Sequence, residues 1–472
     1  MIFRRVLALL VLLVVAAGCA EQAVPSQASG PGRGTAQVPQ VPRDIERELG
    51  LPYADPVLQA YVDRVGQRLV SRGKLAGSYR FVVLDSPLAN AHAVSNYVFV
   101  TRGLLALLED EAELAAAFAH EIGHLVERHG YQRARARKTV LDSAIEAAVA
   151  TGSASVGRSV ARDGLLALRR YSREQEFEAD RFGVDVLVRA GYRGSAMASL
   201  IDKLRRQGRF ELQLMGEAPD SVDRRSSTST HPGPTERRQA LQLMPQALAP
   251  GDSHADIYLA AIDNMSVDDP PREGFVRGNR FLHPTMRLGF TAPRDFRLFN
   301  ESDGVLGVGR DGSLLFFSCV PGPLSGSLAD WMRSRIKPTP TNVQAITISG
   351  AEAAVGARPR GADSGLGQVR YVFVRHDDWI CYFNLTSEGP DRDRRIEALL
   401  AAARTFHTLS AAEAAGLRPY RLHVVPSSTG TPAQLARRMP YPDFHMERLL
   451  VLNGVDTPAE LGALPLVKIV EP

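Results

Sequence analysis

Apolar residues recur at helical spacing through much of the first half of the chain. Val57, Leu58, Tyr61, Val65 and Leu69 share one side of Pro56–Val70 and predict an amphipathic helix. Leu114, Phe118, Ile122 and Leu125 form a second stripe within Leu114–His129. Asp110 stands where it can cap that helix, and Glu113 where it can close a capping box. Ser172 and Gln175 repeat the capping-box pattern and Gly191 supplies a stop, so a further helix is expected over Ser172–Ala190. Ser195–Gln207 reads as another. Tyr131–Gly157, basic at first and then alanine-rich, reads as one or two helices packed on the domain. Asp142 and Glu146 argue against a membrane span there. Tyr79–Leu84 and Tyr97–Thr101 read as short strands.

Beyond about residue 250 the texture changes to short strands. Leu314–Cys319 follows an Asp311-Gly312 turn, a hairpin signal. Val369–Val374 and Trp379–Leu385 pair naturally across His376-Asp377-Asp378, and Ile396–Thr405 closes the region as a helix. The expected class is α+β. A mostly helical domain with a small sheet spans 43–250, an α+β domain spans 276–410, and a small unit spans 418–472.

The N-terminus has its own pattern. Arg4 and Arg5 precede a short apolar run, Val6 to Ala17, too short to span a bilayer with ease. Ala16-Ala17-Gly18-Cys19 follows and resembles a bacterial lipobox. It implies a signal peptide over 1–18, cleavage before Cys19 and lipidation of that thiol. The mature protein would then be anchored to a membrane through Cys19 rather than span it. Ala20 stands where an inner-membrane retention signal would place Asp, which points to the outer membrane. Residues 19–42, rich in Pro, Gly, Ser, Gln and Ala, read as a flexible tether.

Composition narrows the class. The 472 residues are 44% hydrophobic and 23% charged, the values of a globular protein. A net charge of +4 with no basic patch interleaved with aromatics gives no reason to expect nucleic acid as a partner. Cys319 and Cys381 lie in strand-like runs of a chain that reads as exported. A disulfide and two separate buried thiols are both compatible with that.

The chemistry-bearing stretch is His120-Glu121-Ile122-Gly123-His124, the HExxH pattern. Two histidines four apart on a helix share a face, so both imidazoles can reach one ion, and Glu121 can reach a water on it. A catalytic zinc site takes three protein ligands and keeps a position for water. Glu176, in Glu176-Phe177-Glu178-Ala179-Asp180, is the best third ligand, with Glu178 the fallback. Asp180, four residues on, can accept a hydrogen bond from a ligand imidazole. His129 is five residues from His124 and is expected to point elsewhere; His92 reads as structural.

HEIGHLVERH, SREQEFEAD and THPGPTERR, in that order, resemble the three motifs of the HtpX/BepA-type gluzincin zinc metallopeptidases, over about residues 43–250. The resemblance implies one Zn2+ per chain, with His120, His124 and Glu176 as ligands and Glu121 as general base. Asp180 is implied as the acid behind the ligands. His231 matches the family's histidine on the loop beside the zinc, and Arg237 the arginine that follows it. His231 could donate to the oxyanion or occupy the open zinc position. Asn90-Ala91-His92-Ala93 leading into Tyr97–Gly103 resembles the family's edge-strand segment. Val94-Ser95-Asn96 departs from its usual turn.

Further resemblances are weaker. Gly289-Phe290-Thr291-Ala292-Pro293 and the strand order make 276–410 resemble PsbP-like domains. Leu435–Met439, Leu452-Asn453-Gly454 and Val467–Val470 make the C-terminal unit resemble a LysM-type module, which would contact peptidoglycan. The implied function is a membrane-anchored zinc metalloendopeptidase of the bacterial envelope, facing the periplasm. Its substrates would be misfolded or misassembled envelope polypeptides. The rivals are an assembly chaperone with a gated site and a wall-binding protein in which the peptidase is secondary.

Overall fold

Asp55 starts the first long helix: its carboxylate accepts from the backbone N–H of Val57 at 3.1 Å and of Leu58 at 3.0 Å. The computed structural model describes residues 38–151, 153–222, 234–301, 303–322, 326–358 and 368–472. Two units emerge. Of the described residues, one joins 38–268 with Tyr420–Pro472; the other contains Asp269–Pro419. The fold class is α+β, as expected.

In the first unit, α1 (Arg43–Leu49) and α2 (Pro56–Arg72) precede β1 (Arg80–Leu84), β2 (Ala91–Val94) and β3 (Tyr97–Thr101). The strand order is β1-β3-β2. β3 pairs parallel with β1 and antiparallel with β2, so Tyr97–Thr101 is central and Ala91–Val94 lies at an edge. Then come α3 (Arg102–Leu107), α4 (Glu111–Val126), α5 (His129–Thr151), α6 (Ala154–Ala190), α7 (Ala196–Leu214), α8 (Pro234–Gln242) and α9 (Ala255–Ile262).

α4 is the centre of this unit. Glu111 through His124 are buried without interruption, so the helix lies inside the core rather than presenting one stripe to it. Its alanines make that feasible, since they carry no polar group to satisfy. Asp110 caps it, accepting from Glu113 N at 2.8 Å. The reciprocal half of the expected capping box is displaced: Glu113 Oε2 accepts from Glu109 N at 2.7 Å.

α6 departs from expectation. It begins at Ala154, so Ser172 lies within a 37-residue helix instead of capping one. The reason is tertiary. α5 runs beside it as a hairpin, and the glycines that weaken the helix in isolation are points of close approach. A Cβ at Gly157 would come within 2.7 Å of Ala148 Cβ, and one at Gly164 within 2.6 Å of Val140 Cγ1. Tyr131, Ile145 and Val149 of the hairpin stay exposed. Among the described residues no helix is long and apolar enough to cross a membrane.

The second unit is strand-rich. It contains β4 (Phe275–Arg277), β5 (Arg280–His283), β6 (Leu288–Thr291), β7 (Phe296–Glu301), β8 (Gly304–Gly309), β9 (Leu314–Pro321) and α10 (Leu328–Arg335). β10 (Thr341–Ile348), β11 (Ala351–Ala357), β12 (Gln368–His376), β13 (Trp379–Ser387), α11 (Arg392–Ala403), β14 (His407–Thr408) and α12 (Ala411–Gly416) complete it. Seven strands form one sheet, in the order β10-β11-β12-β13-β9-β8-β7, and four form another, β14-β6-β5-β4. The expected hairpin of β12 and β13 is present, with His376 facing Trp379. Cys319 and Cys381 face each other on β9 and β13 and form a disulfide. Phe281, Phe290, Phe317, Phe383 and Phe406 build the core beneath.

The C-terminal segment comprises β15 (Arg421–Pro426), α13 (Pro432–Arg438), α14 (His445–Leu452), α15 (Pro458–Ala463) and β16 (Leu466–Glu471), with β15 and β16 antiparallel. The expectation of a small unit standing apart at 418–472 is not what the structure has. Leu422, Leu435, Leu449 and Ile469 share one hydrophobic core with Leu58, Leu114 and Phe118. Lys468, only 1% exposed, donates to the carbonyls of Ala106 (2.8 Å) and Leu108 (2.7 Å) and pairs with Glu109 at 2.9 Å. A buried ammonium needs such partners, and here they lie just before α4.

Candidate metal centre

α4 and α6 cross where their side chains are smallest. A Cβ on Gly123 would meet Phe182 Cδ1 at 3.1 Å, Ala179 Cα at 3.2 Å and Ala179 O at 3.3 Å. The glycine inside HExxH thus lets α6 approach closely enough to bring Glu176 to the two histidines.

His120, His124 and Glu176 form one buried cluster. The Nε2 atoms of His120 and His124 are 3.1 Å apart. Glu176 places Oε2 3.4 Å from His120 Nε2 and Oε1 3.3 Å from His124 Nε2. Bonds of about 2.0–2.1 Å to a tetrahedral ion would separate neighbouring donors by roughly 3.3 Å, so the three side chains already stand at zinc-site spacing. Two imidazoles and a carboxylate are also the donor set that zinc takes, so the residues present fit such an ion. Glu121 is buried beside them, near enough for its charge to act on His124 and Arg237.

Asp180 accepts from His120 Nδ1 at 2.9 Å. Arg237, on α8 and 5% exposed, donates to both Asp180 oxygens, from Nε and Nη2, at 2.7 Å each. Its Nη1 also reaches Glu176 Oε2 at 3.1 Å. One guanidinium therefore balances two buried carboxylates. Burial favours a neutral Asp180, but Arg237 and then His120 overcome it and hold the carboxyl at about 2. Burial also opposes charge on His120, yet hydrogen bonds to Asp180 and Glu176 outweigh it and hold that imidazole up to about 9. At His124 burial prevails and the imidazole sits at about 4.

The structure thus gathers His120, Glu121, His124, Glu176 and Asp180, with Arg237 behind them. His231 and Cys19 lie outside the described residues. Glu178 is not in the cluster. It pairs with His129 at 3.1 Å, and His129 Nδ1 lies 2.8 Å from His124 Nδ1. Spacing misled the reading of His129. Five residues on a continuous helix would carry it away from His124. But α4 ends at Val126, and Arg128 adopts a left-handed φ of 54° that turns His129 back beneath the site. His92 is bonded to Asn90 Nδ2 at 2.8 Å and takes no part in the cluster.

Residues 56–244 match the model of "Peptidase family M48". Among curated proteins, the beta-barrel assembly-enhancing protease of Escherichia coli strain K12 is 28% identical over 222 residues, covering 44% of this chain and 43% of that protein. The mitochondrial metalloendopeptidase OMA1 of Schizosaccharomyces pombe is 28% identical over 218 residues, covering 43% of this chain and 60% of its own. The chain therefore spans less than two thirds of the length of either relative. Among solved structures, cyanobacterial PsbP from Synechocystis aligns at 15% identity and a TM-score of 0.23, covering 28% of this chain and 94% of its own. That score carries no argument about this fold. The matched span contains all three members of the buried His-His-Glu cluster, so the similarity to that peptidase family falls on the part of the chain that carries the candidate metal centre.

Proposed function

We propose that the protein is a zinc metalloendopeptidase of the bacterial envelope, anchored to the outer membrane through lipidated Cys19 and facing the periplasm. Its substrates are misfolded or misassembled envelope polypeptides. The observation that carries the catalytic reading is the spacing of His120, His124 and Glu176, three buried donors 3.1 to 3.4 Å apart. A zinc ion held there would acidify a water and polarise the scissile carbonyl. Glu121 takes up the proton on its carboxylate and delivers it to the leaving amine nitrogen. Asp180, fixed by Arg237, holds a proton on His120 Nδ1, so that Nε2 is the nitrogen presented to the ion. The outer edge of β2 offers main-chain hydrogen bonds to an extended peptide. The description of the E. coli relative as a beta-barrel assembly-enhancing protease supports the choice of envelope substrates.

The C-terminal segment supports a LysM-like reading through its two antiparallel terminal strands with helices between them. Contact with peptidoglycan follows from that reading. A pull-down of the whole protein on cell-wall glycan, against a matrix without glycan, tests it.

The test of the main proposal is metal analysis together with casein cleavage. Stoichiometric zinc and cleavage that a chelator abolishes are expected. Bound zinc without cleavage would favour the chaperone; no zinc would remove the proposal. For the anchor, palmitate labelling is expected in the natural sequence and not in Cys19→Ser.

A further inference from the structure

We infer that His129 and Glu178 are positioning residues that set the tautomer of the ligand His124. The inference rests on the reading of His120, His124 and Glu176 as a metal site.

An imidazole that binds an ion through Nε2 must carry its hydrogen on Nδ1. At His120 that hydrogen has a carboxylate to receive it, Asp180 at 2.9 Å. At His124 the neighbour of Nδ1 is another imidazole, His129 Nδ1 at 2.8 Å. Two ring nitrogens at that distance share one hydrogen, so one donates and the other accepts.

Glu178 decides which. Its Oε2 lies 3.1 Å from the second nitrogen of His129, Nε2. A carboxylate only accepts, so His129 Nε2 must carry the hydrogen. Neutral His129 then has a lone pair on Nδ1 and accepts from His124. His124 keeps its hydrogen on Nδ1 and presents the lone pair of Nε2 to the cluster. The opposite assignment sets a lone pair of His129 against a carboxylate oxygen and turns an N–H of His124 toward the cluster. Only the first satisfies both of these contacts.

The placement makes this specific. His129 is 1% exposed and its ring is edge-on to His124, with centroids 5.0 Å apart and planes at 71°. It is not a further ligand, because its Nδ1 faces the side of His124 away from the cluster. The two ligand imidazoles are therefore held differently: His120 by a buried carboxylate, His124 through a neutral ring and a half-exposed Glu178.

The test measures metal affinity and tautomer, not turnover. Zinc affinity is obtained by competition with a chromophoric chelator for the full chain, His129→Leu, His129→Gln and Glu178→Ala. Nitrogen NMR of the ring of His124 reports its tautomer. Loss of such a partner typically weakens metal binding about 10- to 100-fold, and that is expected for His129→Leu, with a mixed tautomer at His124. Glu178→Ala should lose several-fold. His129→Gln can accept from His124 through its amide oxygen and donate through its nitrogen, so it should recover most of the affinity. If His129→Leu does not fold, His129→Gln and Glu178→Ala decide the matter through the tautomer. Zinc binding within twofold of the natural protein and an unchanged His124 tautomer in Glu178→Ala would overturn the inference. Absence of zinc binding in the unaltered protein would instead overturn the reading of the site.

Discussion

Arg237 grips Asp180 with two parallel hydrogen bonds of 2.7 Å, both partners buried, and Asp180 in turn holds His120 at 2.9 Å. This pair ties α8 to the face of α6 that carries Glu176. Arg237→Met should cost about 3–5 kcal/mol in urea unfolding, the usual result of stranding a buried charge. Arg237→Lys should recover part of it, since charge returns without the fork. The pair also sets an acid limit. Asp180 is held at about 2, below its unfolded value, so its contribution is present above pH 4 and is lost as pH falls toward 2. Asp180→Asn should flatten the stability profile in that window.

Glu121→Gln keeps the shape of the site and removes the proposed base. It should bind zinc like the natural protein and cleave casein about a hundred- to ten-thousand-fold more slowly. Cleavage within a few-fold of the natural rate would assign the proton transfer to another group.

His231 has two candidate roles with opposite signs. If it steadies the oxyanion, His231→Ala should lower kcat by roughly a hundredfold, the loss of one such donor. If it fills the open metal position at rest, its removal should raise proteolysis. We favour the gating role, and kcat/KM for the two proteins at saturating zinc separates the alternatives.

Gly123→Ala should act through helix spacing. The new Cβ meets Ala179 and Phe182 at 3.1 to 3.3 Å, so α4 and α6 must part by a few tenths of an ångström. Overpacking of this kind costs about 1–3 kcal/mol. Zinc affinity should fall several-fold, since Glu176 travels with α6. Gly130→Ala, where nothing lies within 4 Å, is the control and should leave zinc affinity unchanged.

The second unit has its own pH response. Burial pushes His283 down to about 4, with its Nδ1 accepting from Met286 N at 3.1 Å. Its folded value lies below its unfolded value of about 6.5, so the unfolded chain takes up the proton first. Stability of this unit is therefore full above pH 6.5 and falls toward pH 4, by about 3 kcal/mol at most. The chain's two tryptophans, Trp331 and Trp379, both lie in Asp269–Pro419, so tryptophan fluorescence reports this unit alone. The urea midpoint should drop between pH 7 and pH 4.5, and less so in His283→Gln.

The sequence alone determined what depends on neighbours along the chain. HExxH at helical spacing placed His120 and His124 on one face, and Asp110 capped their helix as its side chain predicts. The two-residue turn between β12 and β13 set their register, because hairpin geometry is local. Only the tertiary structure decided what depends on residues far apart or on one dihedral. Helix α6 continues past Ser172 because α5 packs along it. Glu178 and His129 join the site because Arg128 turns left-handed, which a non-glycine residue does only where its surroundings hold it. Lys468 ties the C-terminal strand to the backbone before α4, 360 residues earlier in sequence. No pattern along the chain carries that last contact, since a buried ammonium and the carbonyls that satisfy it meet only once both segments share a core.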